Sequence, residues 1–241
     1  MLRGAIMSLS GLSITWLGHG TFVLRSPGGR RIVVDPWLEG NPSCPPGLAP
    51  IREADLILVT HGHFDHVHDA AAVAANTGAT VVGIFELCQW LSAKGVERTS
   101  GMNKGGTQEL CGIRITMVDA KHSSSYTDDG VITYLGEAAG YVLKFENGLT
   151  VYFAGDTALF SDMRLIRELY KPTVAFLPIG DLFTMDPVAA AKACEMLGVA
   201  TVVPMHYGTF PVLTGRPEHL RELVAPLGVE VLEMKPGDTV S

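Results

Sequence analysis

Residues 60–66 read THGHFDH and place three histidines and an aspartate directly after the apolar run ADLILV. The run predicts a buried strand, and side chains two residues apart in an extended segment point the same way, so His61 and His63 can approach one ion. Asp65 and His66 follow where a helix begins and can face a second ion. Imidazole and carboxylate suit divalent transition metals. The motif therefore favours a metal site over a polar loop whose imidazoles only cap backbone groups.

Four residues do not complete a two-metal site, so companions are expected at the ends of other strands. His122 follows ITMVDAK, Asp156 follows TVYFAG and His206 follows TVVPM. Each lies where an apolar run gives way to a polar turn, the usual place for functional groups in sheet proteins. Their shared placement, more than any one of them alone, supports grouping them with the motif.

Local patterns predict two hairpins and four helices. SITWLGHGTFVLRS, a PGG turn and RRIVVDP predict the first hairpin, and YVLKFENGLTVYFAGD predicts the second, with its turn at Asn147-Gly148. Helices are expected over DAAAVAANTG, near 161–169 and over RPEHLRELVAPLG, with Gly78 ending the first and Ser161 capping the second. A fourth, MDPVAAAKACEMLG, has Asp186 as its cap, Pro187 in its first turn and Gly198 at its end.

Strands are expected at ADLILVT, ATVVGIF, GIRITMVDA, TVAFLPIG, VATVVPMH and VEVLEM. β-rich runs open each half of the chain, and helix–strand alternation closes it. This order predicts two similar halves whose sheets face each other under outer helices, a four-layer αββα sandwich of the α/β (α+β) class.

Composition limits the class of protein. Of the 241 residues, 47% are hydrophobic, which is enough for one large core, and no Pro/Ser-rich or charged stretch separates two domains. We expect a loosely ordered segment over residues 1–12 and a single domain over 13–241. The formal net charge of −7 and the lack of a dense Lys/Arg run argue against a nucleic-acid partner.

The four cysteines are far apart and form no CxxC pair, so buried free thiols are predicted for Cys44, Cys88, Cys111 and Cys194. MLRGAIMSLSGLS has one arginine but no apolar core of signal-peptide length. No segment approaches an uninterrupted membrane span. These features predict a soluble, cytoplasmic protein.

The set THGHFDH, KHSSS, FAGDT and MHYGT resembles the metallo-β-lactamase superfamily. More narrowly, WLGHGTF, VVDPW, HSSS, AGDTALFSDM, LPIGDLFTM and PMHYGTFP are similar to a family of small bacterial and archaeal metal-dependent hydrolases of largely unassigned substrate, in the lactonase-like and phospholipase-D-like branch. The resemblance runs from about residue 13 to residue 238. It implies that one metal is held by His61, His63 and His122, that the other is held by Asp65, His66 and His206, and that Asp156 bridges them.

Two positions depart from the family pattern. Phe64 and His68 stand in GHFDHVHD where small residues, often glycine, are common, which predicts a differently shaped site mouth. His68 lies just past the motif at a helix start and is interpreted as a surface or capping histidine.

The resemblance implies hydrolysis by a hydroxide that bridges two divalent ions, with zinc favoured and manganese, iron and nickel as alternatives. Asp65 and His19 are the candidate catalytic residues. His19, in LGHGTF, can reach the site from the other half of the sandwich and protonate the leaving group, or it bonds only to nearby backbone. Lys121 and Tyr207 are weaker candidates for this role. Other polar residues near the motifs are assigned no chemistry, Ser123, Ser124 and Ser125 being expected to shape a turn and His219 to lie on a solvated helix face.

Two other classes of function compete with hydrolysis. Diiron redox proteins of the superfamily usually carry a glutamate where His63 stands, so redox chemistry is disfavoured. A non-catalytic metal-binding scaffold would be expected to have lost a ligand, and none is missing. Among hydrolases, the resemblance favours a small-molecule substrate with an ester-type bond, a lactone or phosphodiester, over a thioester or β-lactam. The sequence leaves open whether the chain forms a homo-oligomer.

Asp35, in RRIVVDPWLEG, is similar in position to an aspartate near the metals in the superfamily. An Asp before proline ordinarily starts a turn. Here the strand ends on the same rim as the ligand loops, and a metal-bound imidazole usually donates its other N–H to a carboxylate or carbonyl. We predict that Asp35 holds the 61–66 loop or one of its histidines without binding a metal.

Overall fold

The computed structural model describes residues 9–241, and two seven-stranded sheets form its centre. The strands of the first sheet are β1 (Ser13–Trp16), β2 (Phe22–Arg25), β3 (Arg31–Val34), β4 (Leu56–Leu58), β5 (Thr80–Ile84), β6 (Thr99–Met102) and β16 (Thr239–Val240). The strands of the second are β7 (Thr107–Leu110), β8 (Ile113–Asp119), β11 (Ala139–Lys144), β12 (Thr150–Phe153), β13 (Val174–Pro178), β14 (Thr201–Met205) and β15 (Glu230–Val231). A separate hairpin consists of β9 (Ser125–Asp128) and β10 (Val131–Tyr134).

The two sheets follow the same plan. In the first, with the order β16-β1-β2-β3-β4-β5-β6, antiparallel strands lead into the parallel run from β3 to β6. In the second, with the order β15-β14-β13-β12-β11-β8-β7, antiparallel strands lead into the parallel run from β12 to β15. Parallel strands of one sheet end at one edge, so each half places its strand-end loops together. The two similar halves predicted from the sequence are confirmed.

In the described part of the chain, six α-helices cover the sheets: α1 (Phe64–Val67), α2 (Ala70–Thr77), α3 (Phe85–Ala93), α4 (Met163–Tyr170), α5 (Pro187–Leu197) and α6 (Pro217–Val224). Val73 of α2 and Leu87 of α3 pack into the core of the first sheet, whereas Met163, Ala190 and Leu220 of the last three helices pack into a cluster on the second. The arrangement is the expected four-layer αββα sandwich.

Aromatic side chains fill the space between the sheets. Phe22 of β2 lies edge-on to Phe153 and Phe176 of the second sheet, with ring centroids 5.8 and 5.0 Å away. The hydroxyl of buried Tyr141, on β11, donates a 2.8 Å hydrogen bond to the carbonyl of Val59, just after β4. Because Val59 precedes the THGHFDH motif, this bond fixes the start of the motif against the second sheet.

Helix ends agree with the predicted caps in α2 and α5. Asp186 accepts a 2.7 Å bond from the Ala189 amide, and Gly198 and Gly78 end the two helices in the left-handed conformation. In α4 the predicted cap is wrong. The helix begins after Asp162, and the Ser161 hydroxyl donates to the Asp162 carboxylate instead of accepting from the helix.

Several elements differ from expectation. The strands β6, β7, β9 and β10 were not among those that the sequence patterns predict. The chain turns from β5 directly into α3, which the sequence patterns did not indicate, and VEVLEM contributes only the two residues of β15. The C-terminal strand β16, also unforeseen, pairs with β1 through Ile14 and Val240. Of the expected loose segment 1–12, residues 1–8 lie outside the described residues, while Leu9 and Leu12 are buried in the core.

The cysteines are all free, as predicted, but only Cys88 and Cys194 are buried. The prediction of burial is wrong for Cys111, which is exposed in the turn between β7 and β8, and Cys44 is half-buried. Within residues 9–241, every helix is too short or too polar to cross a bilayer.

Candidate metal centre

The seven predicted ligands lie together where loops from the two sheets meet. The first sheet contributes the segment after β4, and the second contributes the residues that follow β8, β12 and β14. The ligand atoms form overlapping groups, within which all atoms lie within 4.8 Å of one another: His61, His63 and His122; His61, His66 and Asp156; and His19, Asp65, His66 and His206. Each group combines residues from both sheets.

The first group consists of three imidazoles. His61 Nε2 lies 3.0 Å from His63 Nδ1, and the His122 ring stands edge-on to both of the other rings at centroid distances of 5.1 Å. Tetrahedral ligands at bond lengths of 2.0–2.1 Å are separated by about 3.4 Å. The spacing of these nitrogens is therefore close to that of ligands on one ion.

The group that contains Asp65, His66 and His206 is called the second group, and it shares His66 with the group of Asp156. Asp65 Oδ2 is 3.9 Å from His66 Nε2 and 3.7 Å from His206 Nε2. His66 and His206 are 0% and 2% exposed, whereas the Asp65 side chain is 15% exposed. This group therefore reaches solvent at Asp65.

Asp156 stands between the two groups. Its Oδ2 lies 4.0 Å from His61 Nε2 and 3.7 Å from His122 Nε2. The same oxygen lies 3.4 Å from His66 Nε2 and 3.0 Å from His206 Nε2. One carboxylate oxygen is thus within reach of ring nitrogens from both groups.

Asp35 orients the histidines from behind, as predicted. Its fully buried carboxylate accepts hydrogen bonds from the Thr60 amide (2.7 Å), the Thr60 hydroxyl (2.7 Å) and His66 Nδ1 (2.8 Å). Since the Thr60 hydroxyl gives its proton to Asp35, it accepts from His61 Nδ1, 3.0 Å away. Both imidazoles therefore carry a proton on Nδ1 and face the site with Nε2.

Several atoms of the site have no hydrogen-bond partner. Among residues 9–241, buried side-chain atoms of this kind are His66 Nε2, both nitrogens of His206, Asp156 Oδ1 and the hydroxyl of Tyr152. Leaving a buried polar group unpaired costs about 1–3 kcal/mol. Four of these five atoms belong to ligand-type side chains of the site. Nitrogen and carboxylate donors that lack partners fit divalent transition-metal ions.

The histidines of the first group are neutral. Burial lowers the pKa of His61 well below its usual value, and it also lowers the pKa of His63 and of His122. A neutral imidazole has the lone pair that a metal ion requires.

Charge is concentrated in the second group. Burial alone would lower the pKa of His66 and His206, but facing carboxylates, above all Asp156, raise both, that of His206 to about 9. Burial alone would raise the pKa of Asp65 and Asp156, but His66 and His206 hold both well below the usual value. The two aspartates are therefore ionised at neutral pH.

His19 reaches the site, but not from the half that was expected. It lies between β1 and β2 in the first sheet, which also carries the THGHFDH motif. Its Nε2 is 2.9 Å from Asp65 Oδ2, and its Nδ1 is 3.0 Å from the Thr209 hydroxyl. Burial, followed by the charge on His206, lowers the pKa of His19 to about 4. Neutral His19 thus donates to Asp65 and accepts from Thr209.

The two weaker catalytic candidates point elsewhere. Lys121 is exposed and forms an ion pair with Asp119. The Tyr207 ring packs against Trp16 at a centroid distance of 5.3 Å. Neither contact directs a polar atom toward the ligand groups.

The remaining polar residues near the motifs behave largely as expected. His68 and His219 are exposed; the His68 amide bonds to the Phe64 carbonyl at the end of α1, and its ring lies 3.4 Å from the Tyr126 hydroxyl. Ser124 is buried, and its hydroxyl accepts from the Gly62 amide at 3.1 Å. The serine turn thus holds the loop that carries His61 and His63.

Three residues of the site have unusual backbone angles. His19, Asp35 and His206 have φ angles of +54°, +47° and +56°, in the left-handed region that non-glycine residues rarely adopt. Such conformations cost about 1–3 kcal/mol each and cluster at functional sites. Gly180 contributes to this geometry, because a Cβ there would lie 2.0 Å from the His206 carbonyl oxygen.

Comparison with known proteins agrees with this geometry. Residues 30–207 match the family model described as the β-lactamase superfamily domain. The chain is 52% identical over 235 residues to a UPF0173 metal-dependent hydrolase of Koribacter versatilis, covering 98% of this chain and 100% of that protein. It is also 52% identical over 229 residues to a UPF0173 metal-dependent hydrolase of Solibacter usitatus, covering 95% and 99%.

A solved structure shows the same architecture. Igni18, a metallo hydrolase from the hyperthermophilic archaeon Ignicoccus hospitalis, superposes with a TM-score of 0.84 at 37% identity, covering 95% of this chain and 97% of that one. The family match, the extent of both sequence alignments and this superposition lead to one conclusion. The chain belongs to the metallo-β-lactamase superfamily and, within it, to the UPF0173 metal-dependent hydrolases.

Proposed function

We propose that the protein is a binuclear hydrolase that uses two divalent metal ions to cleave an ester-type bond, with a lactone or a phosphodiester as the favoured substrate. The observation that carries the proposal is the position of Asp156 Oδ2, which lies within 4.0 Å of ring nitrogens from four histidines, two in each ligand group. A carboxylate oxygen between two sets of nitrogens supports a bridging role.

In this proposal His61, His63 and His122 would hold one ion, Asp65, His66 and His206 would hold the other, and Asp156 would contribute to both sites. When bound, such a pair lowers the pKa of a shared water and polarises the oxygen of the bond under attack. Zinc is favoured, and manganese, iron and nickel are compatible with the same nitrogen and carboxylate donors.

Asp65 is the proposed proton-handling residue, and His19 positions it. The Asp65 side chain is 15% exposed, and the carboxylate oxygen that does not hold the ion would take a proton from the attacking water and return it to the leaving group. His19 holds the carboxylate in place through its Nε2–H, and Thr209 keeps that proton on Nε2 by donating to Nδ1. His19 is thus assigned a positioning role, whereas the sequence had suggested leaving-group protonation.

Metal content tests the binuclear assignment. Elemental analysis after reconstitution with zinc should find about two ions per chain in the wild type, because seven side chains suffice for two sites that keep a position open for water. Asp156→Ala should retain at most about one ion, since both sites lose a ligand. The matched control is His219→Ala, an exposed histidine on α6. A wild-type stoichiometry of one or less, or equal loss in both variants, would overturn the assignment.

A substrate panel tests the reaction class. Chromogenic phosphodiesters, lactones and thioesters should be offered to protein of known metal content. We expect hydrolysis of a lactone or a phosphodiester that is lost on chelation and absent in Asp156→Ala. Activity confined to thioesters would contradict the favoured substrate class, and activity that persists without metal would contradict the mechanism.

A further inference from the structure

Three aromatic rings form a continuous surface beside the candidate metal centre, here called the aromatic shelf (Trp37, Phe64 and Phe210). Trp37 is 3% exposed and forms its floor. Phe64 stands edge-on to Trp37 at a centroid distance of 5.5 Å, and Phe210 stacks on Trp37 at 5.9 Å. Phe64 is 52% exposed and Phe210 is half-buried, so the shelf is open to solvent.

The shelf begins at the Asp65 side of the centre. The His19 ring lies 5.2 Å from Trp37 and 5.8 Å from Phe210, and its Nε2 bonds to Asp65. Phe64 itself occupies the position of the motif where small residues are common. A molecule whose reacting bond lies at Asp65 therefore has an apolar surface directly beside it.

Further exposed apolar side chains lie on two loops at the strand ends of the second sheet. Leu182, Phe183 and Val212 are 63%, 58% and 49% exposed, on the loops that follow β13 and β14. The Gly215 amide donates to the Gly180 carbonyl at 3.4 Å, so the two loops adjoin. Half-exposed apolar side chains add little to the stability of the fold, because burial of apolar area is what stabilises. Exposed apolar side chains that gather on adjoining loops are typical of a binding surface.

The opposite side of the centre is charged. Near His122, the exposed or half-exposed side chains of Lys104, Asp119, Lys121 and Glu137 form a network of ion pairs. An apolar group would lose its hydrophobic contact there, whereas the shelf offers aromatic contact. The two sides therefore give a bound molecule a preferred direction.

We propose that the aromatic shelf binds an apolar group, an alkyl chain or an aryl ring, that the substrate carries next to the bond that is cleaved. This inference rests on the proposed function, since it concerns the substrate of the same centre. It limits the substrate class to esters with an apolar substituent and assigns Phe64 and Phe210 to substrate selection.

Carboxylates that resemble the acid half of an ester test the shelf without requiring turnover. Acetate, hexanoate and phenylacetate should be titrated calorimetrically into zinc-loaded protein. Hexanoate and phenylacetate should bind about tenfold more tightly than acetate, because several additional carbons are partly removed from water. In Phe64→Ala the ratio should fall to about threefold. Leu169→Ala, which truncates a 70% exposed residue on α4, should leave the ratio unchanged.

Equal affinities for the three carboxylates, or an equal ratio in wild type and Phe64→Ala, would overturn the inference. If the wild type prefers only phenylacetate over acetate, the shelf binds an aryl ring. If it prefers only hexanoate over acetate, the shelf binds an alkyl chain. The ratio of the affinities for hexanoate and acetate, measured again in chelator-treated protein, separates the proposal about the shelf from the proposed function. If zinc is not taken up but the preference persists and depends on Phe64, the proposed function fails while the shelf stands.

Discussion

Replacing Asp35 by asparagine keeps the size of the side chain but changes what it can bond. The carboxylate accepts three hydrogen bonds, with Oδ1 receiving the Thr60 amide and Oδ2 receiving the Thr60 hydroxyl and His66 Nδ1. An asparagine has one acceptor oxygen and one NH₂ donor. Either orientation of the amide therefore sets its NH₂ against an N–H group, that of Thr60 or that of His66.

The conflict with His66 has a chemical consequence at the site. The ring can accept from the new NH₂ only if its proton moves from Nδ1 to Nε2, the atom that faces Asp156 at 3.4 Å. A protonated Nε2 has no lone pair for a metal ion. Loss of such an outer partner typically weakens metal binding by about 10- to 100-fold, or about 1.4–2.7 kcal/mol. Asp35→Asn should fall in this range.

The assay is a chelator titration of zinc-loaded proteins, with the released zinc followed by a chromogenic indicator. Asp35→Asn should bind as many ions as the wild type at saturation and release them at about 10- to 100-fold lower free chelator concentration. Asp69→Asn is the matched control, because this buried carboxylate accepts only the Leu38 and Glu39 amides and one amide oxygen can replace it. Unchanged release in Asp35→Asn would refute the tautomer argument, and failure to bind zinc at saturation would make Asp35 a ligand or a folding requirement.

Three further predictions concern protons, a hydroxyl and a glycine. Zinc binding at pH 7 should release protons and weaken as pH falls. Facing carboxylates raise the pKa of His206 to about 9 against the effect of burial, so this histidine is protonated without metal. Calorimetry in two buffers of different ionisation enthalpy that finds no proton release would contradict this prediction. Thr209→Val should leave zinc content intact and lower kcat about fivefold, the equivalent of one hydrogen bond, and Thr209→Ser should restore kcat. An effect confined to KM would argue against a positioning role. Gly180→Ala should destabilise the metal-free protein by about 3 kcal/mol in urea unfolding, because the new Cβ would meet the His206 carbonyl; a change below about 1 kcal/mol would refute the contact.

Elements with local signals could be predicted from the sequence. Helix α5 has a cap, a first-turn proline and a terminal glycine within its own residues, and the second hairpin has Asn147-Gly148 at its turn. Helix α3 gave no such signal, because Phe85 continues the apolar run of β5 and Ile84 occupies the cap position. The two residues of β16 form a strand only because β1 is beside them. Pairing of this kind is a property of the folded chain.

Some residues of the site also have a local sequence signal, and others have none. The ligand-type residues could be found because each follows an apolar strand, and Asp35 because it ends one. Thr60 and Thr209, which fix the proton positions of His61 and His19, have no spacing that distinguishes them from other threonines. The direction from which His19 arrives depends on which sheet its loop joins, and β1 and β2 join the first sheet by pairing with each other and with β3.

The division of the ligand groups between the two sheets determines when the chain can take up metal. A chain with only its first half folded has His61 and His63 without His122, and it has Asp65 and His66 without the ligands that follow β12 and β14. Because every group is completed only when the sheets dock, metal binding stabilises the docked state and neither half alone. Interactions absent from a transition state slow unfolding without accelerating folding. Bound ions should therefore slow unfolding of the docked state and leave the rate at which either half forms unchanged.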